Sequence, residues 1–124
     1  MKRILIVDDA KVVVSLIRVY FANWPVEFMV AADGEEGLVR AKEHKPDLVI
    51  ADVRMPKMDG FELCAAIIAD EKLAGTPVVL LSANADEAAK KKGELVGATA
   101  FLKKPVSPEE LKATVGKILG IGES

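Results

Sequence analysis

Short apolar runs and helix-patterned stretches alternate along the whole chain. Residues 3–7 form a compact apolar run that predicts a strand. In residues 11–21 the apolar side chains Val13, Leu16, Ile17 and Tyr20 recur at the spacing of one helix face. Residues 26–31 predict a second strand. Asp33 then stands as an N-cap, with Glu36 three positions on to complete a capping box, and this helix stops near His44, ahead of Pro46. Residues 47–52 predict a third strand, and 60 to about 71 a helix that turns Phe61, Leu63, Cys64, Ile67 and Ile68 inward. Residues 77–82 predict a fourth strand, 85–92 a helix whose only apolar residues are alanines, and 98–103 a fifth strand. Ser107-Pro108-Glu109-Glu110 supplies an N-cap, a proline at the first helical position and a capping-box glutamate. The last helix runs to about residue 119, with Leu111, Val115, Ile118 and Leu119 facing in.

Five strands alternating with five helices predict an α/β fold with a doubly wound parallel sheet covered on both faces. The first, third and fourth strands are nearly unbroken apolar runs, as central strands are. The second contains Glu27 and the fifth Thr99, which suits edges. At 124 residues the chain makes one domain, and a chain of this size hides about two thirds of its unfolded surface. Apolar residues at 51% argue against disorder. No apolar run approaches the roughly 18 residues of a membrane span. Met1-Lys2-Arg3 leads directly into the first strand, so no signal peptide is expected. The single cysteine precludes an intrachain disulfide and suits a reducing, cytoplasmic setting. A net charge of −2 gives no support to direct nucleic-acid binding. Residues 120–124 are expected to form a loose tail after a domain of residues 1–119.

Chemistry collects where the strands end. Ligands of doubly wound sheets bind beyond the carboxyl ends of the strands. There the first strand places Asp8-Asp9, the third Asp52, the fourth Ser82 and the fifth Lys103-Lys104-Pro105. Two carboxylates about 4 Å apart repel by on the order of 4 kcal/mol at an effective dielectric near 20, so the cluster calls for a cation. Hard oxygen ligands with room for water suit Mg²⁺, with Mn²⁺ as a substitute. An acid cluster beside a lysine and a hydroxyl suits the handling of phosphoryl groups.

Asp8-Asp9, the segment Asp52-Val53-Arg54-Met55-Pro56-Lys57-Met58-Asp59-Gly60, Ser82-Ala83 and Lys104-Pro105, in this order at strand ends, resemble the receiver domain of two-component response regulators. In size the chain is similar to the single-domain chemotaxis type. The resemblance implies a flavodoxin-like sheet of strand order 2-1-3-4-5. It makes Asp52 the phosphoacceptor, supplied by a histidine kinase or a histidine phosphotransfer protein. It assigns the metal to Asp8, Asp9, Asp52 and the backbone carbonyl of Arg54. Ser82, here in place of the commoner threonine, and Lys104 would bind phosphoryl oxygens, with a cis Lys104–Pro105 bond aiming the lysine. Phe101 matches the switch aromatic and moves with Ser82, while Arg54 and Asn84 tune the lifetime of the aspartyl phosphate. The output face would be the fourth helix, fifth strand and fifth helix, read by a protein partner. Such a domain catalyses only its own phosphorylation and dephosphorylation and is not an enzyme of metabolism.

Plainer roles suit other residues. Asp9 can also cap the first helix. Cys64 reads as a small core residue, and His44 and Trp24 precede strands, at the end of the sheet away from Asp52. Val12-Val13-Val14 exceeds one buried stripe, so Val14 or Val19 is expected to be exposed, beside the helix where the family docks its histidine partners. A phosphatase of the haloacid-dehalogenase kind needs a second aspartate two residues after the nucleophile, where this chain has Arg54. A flavin carrier needs a hydroxyl- and glycine-rich phosphate cradle where this chain has Asp8-Asp9. A degenerate receiver serving only as a protein-binding module is the remaining alternative.

Overall fold

The strands β1 (Lys2–Val7), β2 (Val26–Ala31), β3 (Leu48–Asp52), β4 (Val78–Ser82) and β5 (Ala100–Lys103) form one parallel sheet in the order β2-β1-β3-β4-β5. The helices are α1 (Lys11–Tyr20), α2 (Gly34–His44), α3 (Gly60–Ala69), α4 (Glu87–Leu95) and α5 (Pro108–Leu119). This is the predicted fold and strand order, seen in a computed structural model that describes residues 1–122.

Two cores sandwich the sheet, because alternate residues of a strand face opposite ways. Leu5, Val7, Val49, Ala51, Val78 and Leu80 join Ala41 of α2 and Leu63, Cys64 and Ile67 of α3. Ile4, Ile6, Leu48, Ile50, Val79 and Leu81 join Ile17 of α1, Phe21 at its C-cap, and Leu111 and Val115 of α5. Apolar side chains are thus needed on both faces, which explains the unbroken runs of β1, β3 and β4. Each fully buried Val, Leu or Ile contributes roughly 1.5–3 kcal/mol, so these strands are the stiffest part of the molecule.

Several local expectations change. The fourth helix begins at Glu87 with Asp86 as its N-cap and extends to Leu95, instead of spanning 85–92. Asp86 accepts the Ala89 N–H and overrides the helical propensity of Ala85. In α1 the outward residues are Val12, Leu16 and Val19, at 72%, 47% and 68% exposure, whereas Val14 is half-buried. Leu16 was assigned inward and Val14 was one of two candidates for exposure; the rotation of α1 onto Ile17 decides both. Ile68 is likewise partly exposed, at the surface beside Gly97. Asp9 does not cap α1, whose N-cap residue is Ala10, without a capping side chain; the Ala10 N–H donates to Asp8 Oδ1. Asp33 does cap α2, but the Glu36 carboxylate accepts from Ala32 instead of closing the box on Asp33. The complete capping box is Asp59 with Glu62, on α3. Gly120 and Ile121, expected in a loose tail, finish α5 instead: Gly120 is its left-handed C-cap and Ile121 sits against the second core. Glu123 and Ser124 of that tail lie outside the described residues.

Candidate functional site

β1 and β3 are adjacent and parallel, with Val7 beside Ala51, so the residues that follow them emerge together. That register brings Asp8, Asp9 and Asp52 into one group, with a carboxylate oxygen from each within 4.8 Å of the others. Asp8 and Asp52 are buried and Asp9 is exposed, so the group opens to solvent on one side.

Lys104 answers the acids from the far side. Its Nζ lies 2.9 Å from Asp52 Oδ1 and 3.4 Å from Asp8 Oδ2. The Lys104–Pro105 peptide is cis, and the Lys104 N–H donates to the Ser82 carbonyl, which fixes the start of the loop after β5. Burial alone would lower the Lys104 ammonium, but its hydrogen bond to Asp52 and the charges of Asp8 and Asp52 hold it above the ordinary lysine value. Burial pushes the Asp8 carboxyl up from its ordinary value. The Ala10 N–H that it accepts and the charge of Lys104 oppose that rise, and Asp52 adds to it. One lysine against three carboxylates leaves the group short of positive charge. All-oxygen donors, partly open to water, fit a small hard cation such as Mg²⁺.

Ser82 ends β4 and is buried, and its Oγ accepts the Asn84 N–H at 3.1 Å. Arg54 and Asn84 are exposed on the two loops that flank the site. The loop from Val53 to Asp59 turns sharply back. Lys57 holds a left-handed φ of 69°, its Nζ is 3.9 Å from Asp33, and the Gly60 N–H donates to Val53 O. A cleft of roughly 590 Å³ opens between this loop and α4, lined by Asp9, Arg54, Phe61, Ser82, Asn84 and Lys92 among others.

Phe101 is half-buried on β5 and stacks on Phe61 of α3, with ring centres 6.3 Å apart and planes inclined by 12°. Phe61 and Lys92 at this site were not identified from sequence as functional. Phe61 reads as core from its spacing, and Lys92 as one of a lysine run on a solvated face. Cys64 is a core residue, fully buried, its Sγ donating to Val96 O, with burial pushing the thiol up to about 11. His44 closes α2 and its carbonyl accepts from Arg3, while Trp24 precedes β2. Both are at the far end of the sheet from Asp52.

A family model described as the response regulator receiver domain matches residues 4–116. The chain is 39% identical over 118 residues to the alkaline phosphatase synthesis transcriptional regulatory protein PhoP of Bacillus subtilis, covering 95% of this chain and 48% of that protein. It is 29% identical over 113 residues to protein PilG of Pseudomonas aeruginosa, covering 91% and 84%. It thus spans about half the length of PhoP and most of PilG. Among solved structures, the chemotaxis response regulator CheY4 of Vibrio cholerae matches with a TM-score of 0.88 at 34% identity, covering 95% of this chain and 98% of that one. A response regulator receiver domain protein from Methanospirillum hungatei matches with a TM-score of 0.88 at 27% identity, covering 97% and 94%.

Proposed function

This chain belongs to the response regulator receiver domain family of two-component systems, and from that premise we propose that it is a phosphorylation switch with Asp52 as phosphoacceptor. The observation that carries this reading is the acidic trio around Asp52 with Lys104 2.9 Å from its carboxylate. An Asp52 oxygen attacks phosphorus of a phosphohistidine, the O–P bond forms as the P–N bond breaks, and the imidazole leaves with the nitrogen's electron pair. Mg²⁺ held by Asp8, Asp9, Asp52 and the Arg54 carbonyl would neutralise charge on the phosphoryl oxygens. Lys104 trades its bond to Asp52 for a phosphoryl oxygen, and the Ser82 hydroxyl donates to another. Water later hydrolyses the aspartyl phosphate, with Arg54 and Asn84 flanking its path. The domain acts on itself and turns over no metabolite.

Phosphate-directed movement of Ser82 draws on Phe101 and alters the face made by α4, β5 and α5, which a partner protein reads. The phosphodonor is a histidine kinase or a histidine phosphotransfer protein. The exposed apolar residues Val12, Leu16 and Val19 on α1 supply a contact surface near the site for it. No helix among the described residues is long and apolar enough to cross a membrane.

Incubation with acetyl phosphate and Mg²⁺ is expected to add one phosphoryl group to the intact mass of the wild type. No gain is expected in Asp52→Asn or with the metal chelated. A wild type that neither gains mass nor binds beryllofluoride would replace this reading with that of a receiver-shaped binding module.

A further inference from the structure

The inner face of α4 carries an anomaly. Ala89, Lys92, Gly93 and the C-cap residue Val96 follow helical spacing, and Val96 sits against the first core. Lys92 is exposed, at the rim of that stripe, and turns its ammonium back over the protein instead of out to water. Gly93 is the single buried residue of α4, and a Cβ there would meet the Phe101 ring at 3.0 Å. The helix therefore lies directly on Phe101 and has few other holds. Lys92 provides one: its Nζ stands over the Phe61 ring, 4.8 Å from the centroid. Phe61 in turn stacks on Phe101. Lys92 also lines the cleft that reaches Ser82 and Asn84.

We propose that Lys92 is a positioning residue of the switch. Its ammonium ties α4 to Phe61, and through it to Phe101, while Asp52 is unmodified, and it leaves the ring for the cleft when a phosphoryl group arrives. This rests on the receiver reading and adds a regulatory residue to it. A phosphoryl group brings about −1.5 to −2 charges. At close range in a partly screened cleft, attraction between full charges exceeds that of a cation for a ring face at least about twofold. The same lysine thus favours one position of α4 before modification and another after it.

The test follows the Lys92 side chain by NMR of the full chain with ¹³C-labelled lysine, the Lys92 signal being assigned by its loss in Lys92→Arg. In the unmodified protein the ε-methylene protons are expected upfield, shielded by the Phe61 ring. Adding Mg²⁺ and beryllofluoride, with site occupancy read from ¹⁹F, is expected to return them toward the position of an ordinary lysine. Occupancy without that movement overturns the proposal and leaves the receiver reading standing, whereas no occupancy removes both. Hydrogen exchange gives a second reading. In unmodified Lys92→Gln the α4 amides are expected to exchange about two- to fivefold faster, matching the loss of an exposed cation–ring contact, and Lys92→Arg is expected to keep wild-type protection. Exchange in Lys92→Gln equal to wild type overturns the proposal.

Discussion

Asp8→Asn is expected to make the metal-free protein more stable and at the same time to abolish its stabilisation by Mg²⁺. Asp8 has 2% side-chain exposure and shares its surroundings with two other carboxylates. Its pKa is raised from 3.8, chiefly by burial. An acid whose pKa is raised by folding costs nothing while it is protonated in both states, and destabilises the native state progressively as pH climbs from the ordinary value through the raised one. At neutral pH, above the ordinary carboxylate value, the wild type bears that cost. Asparagine can still accept the Ala10 N–H, and Lys104 keeps its 2.9 Å contact with Asp52. The gain is expected to be modest, because the same exchange gives up the 3.4 Å pair of Asp8 with Lys104, and only replacement of an entire buried ion pair gains as much as about 1–4 kcal/mol. Thermal melts in chelator should show the variant above wild type at pH 7, with the gap closing as pH falls below the ordinary carboxylate range. Adding Mg²⁺ should raise the wild-type midpoint by mass action and leave the variant unmoved. A variant that melts below wild type in chelator, or that gains as much from Mg²⁺, would contradict this account of the site.

Gly60→Ala is expected to cost about 3 kcal/mol, at the upper end of what overfilling a tight site costs. A Cβ at this position would lie 2.4 Å from the Asp52 carbonyl oxygen and 2.9 Å from Val53 Cα. Both are backbone atoms, so no rotamer change relieves the clash. The first turn of α3 must move away from the end of β3, carrying the Asp52 peptide and the Gly60–Val53 hydrogen bond with it. The variant should therefore also take up phosphoryl groups more slowly from acetyl phosphate. Gly75→Ala is the control, since nothing lies within 4 Å of a Cβ there. Its unfolding free energy, from urea melts, is expected to stay within about 0.5 kcal/mol of wild type. Equal midpoints for the two variants would show that α3 can shift freely against β3.

The strand-end chemistry was legible because parallel strands present their carboxyl ends on one rim. Asp8, Asp9, Asp52, Ser82 and Lys104 each follow an apolar run, and topology alone gathers them. The orientation of α1 was less legible. Val12, Val13, Val14, Leu16, Ile17 and Val19 offer more apolar side chains than one face can bury, so only contact with Ile4, Ile6 and Phe21 selects Ile17 as the centre. The start of α4 was misplaced because alanine favours a helix at 85, while the capping bond of Asp86 begins it two residues later. Lys92 and Phe61 escaped notice for a different reason. Their relation joins positions 31 residues apart on two helices, and neither residue type carries a local signature. The nearness of Gly60 to Asp52 likewise depends on the return of a loop whose path includes a lysine in left-handed conformation.

β5 is hydrogen-bonded to β4 alone, whereas β1 and β3, which carry the carboxylates, have a partner on either side. Position in the sheet therefore divides heritable labour. In a domain that switches as proposed, changes near the middle would alter how fast a signal is written, and most of them would also imperil folding. Changes on the margin would alter how loudly it is read, and they fall where the sheet has one neighbour to disturb. Descendants of such a domain can acquire new listeners through β5 and its flanking helices while the writing apparatus stays the same.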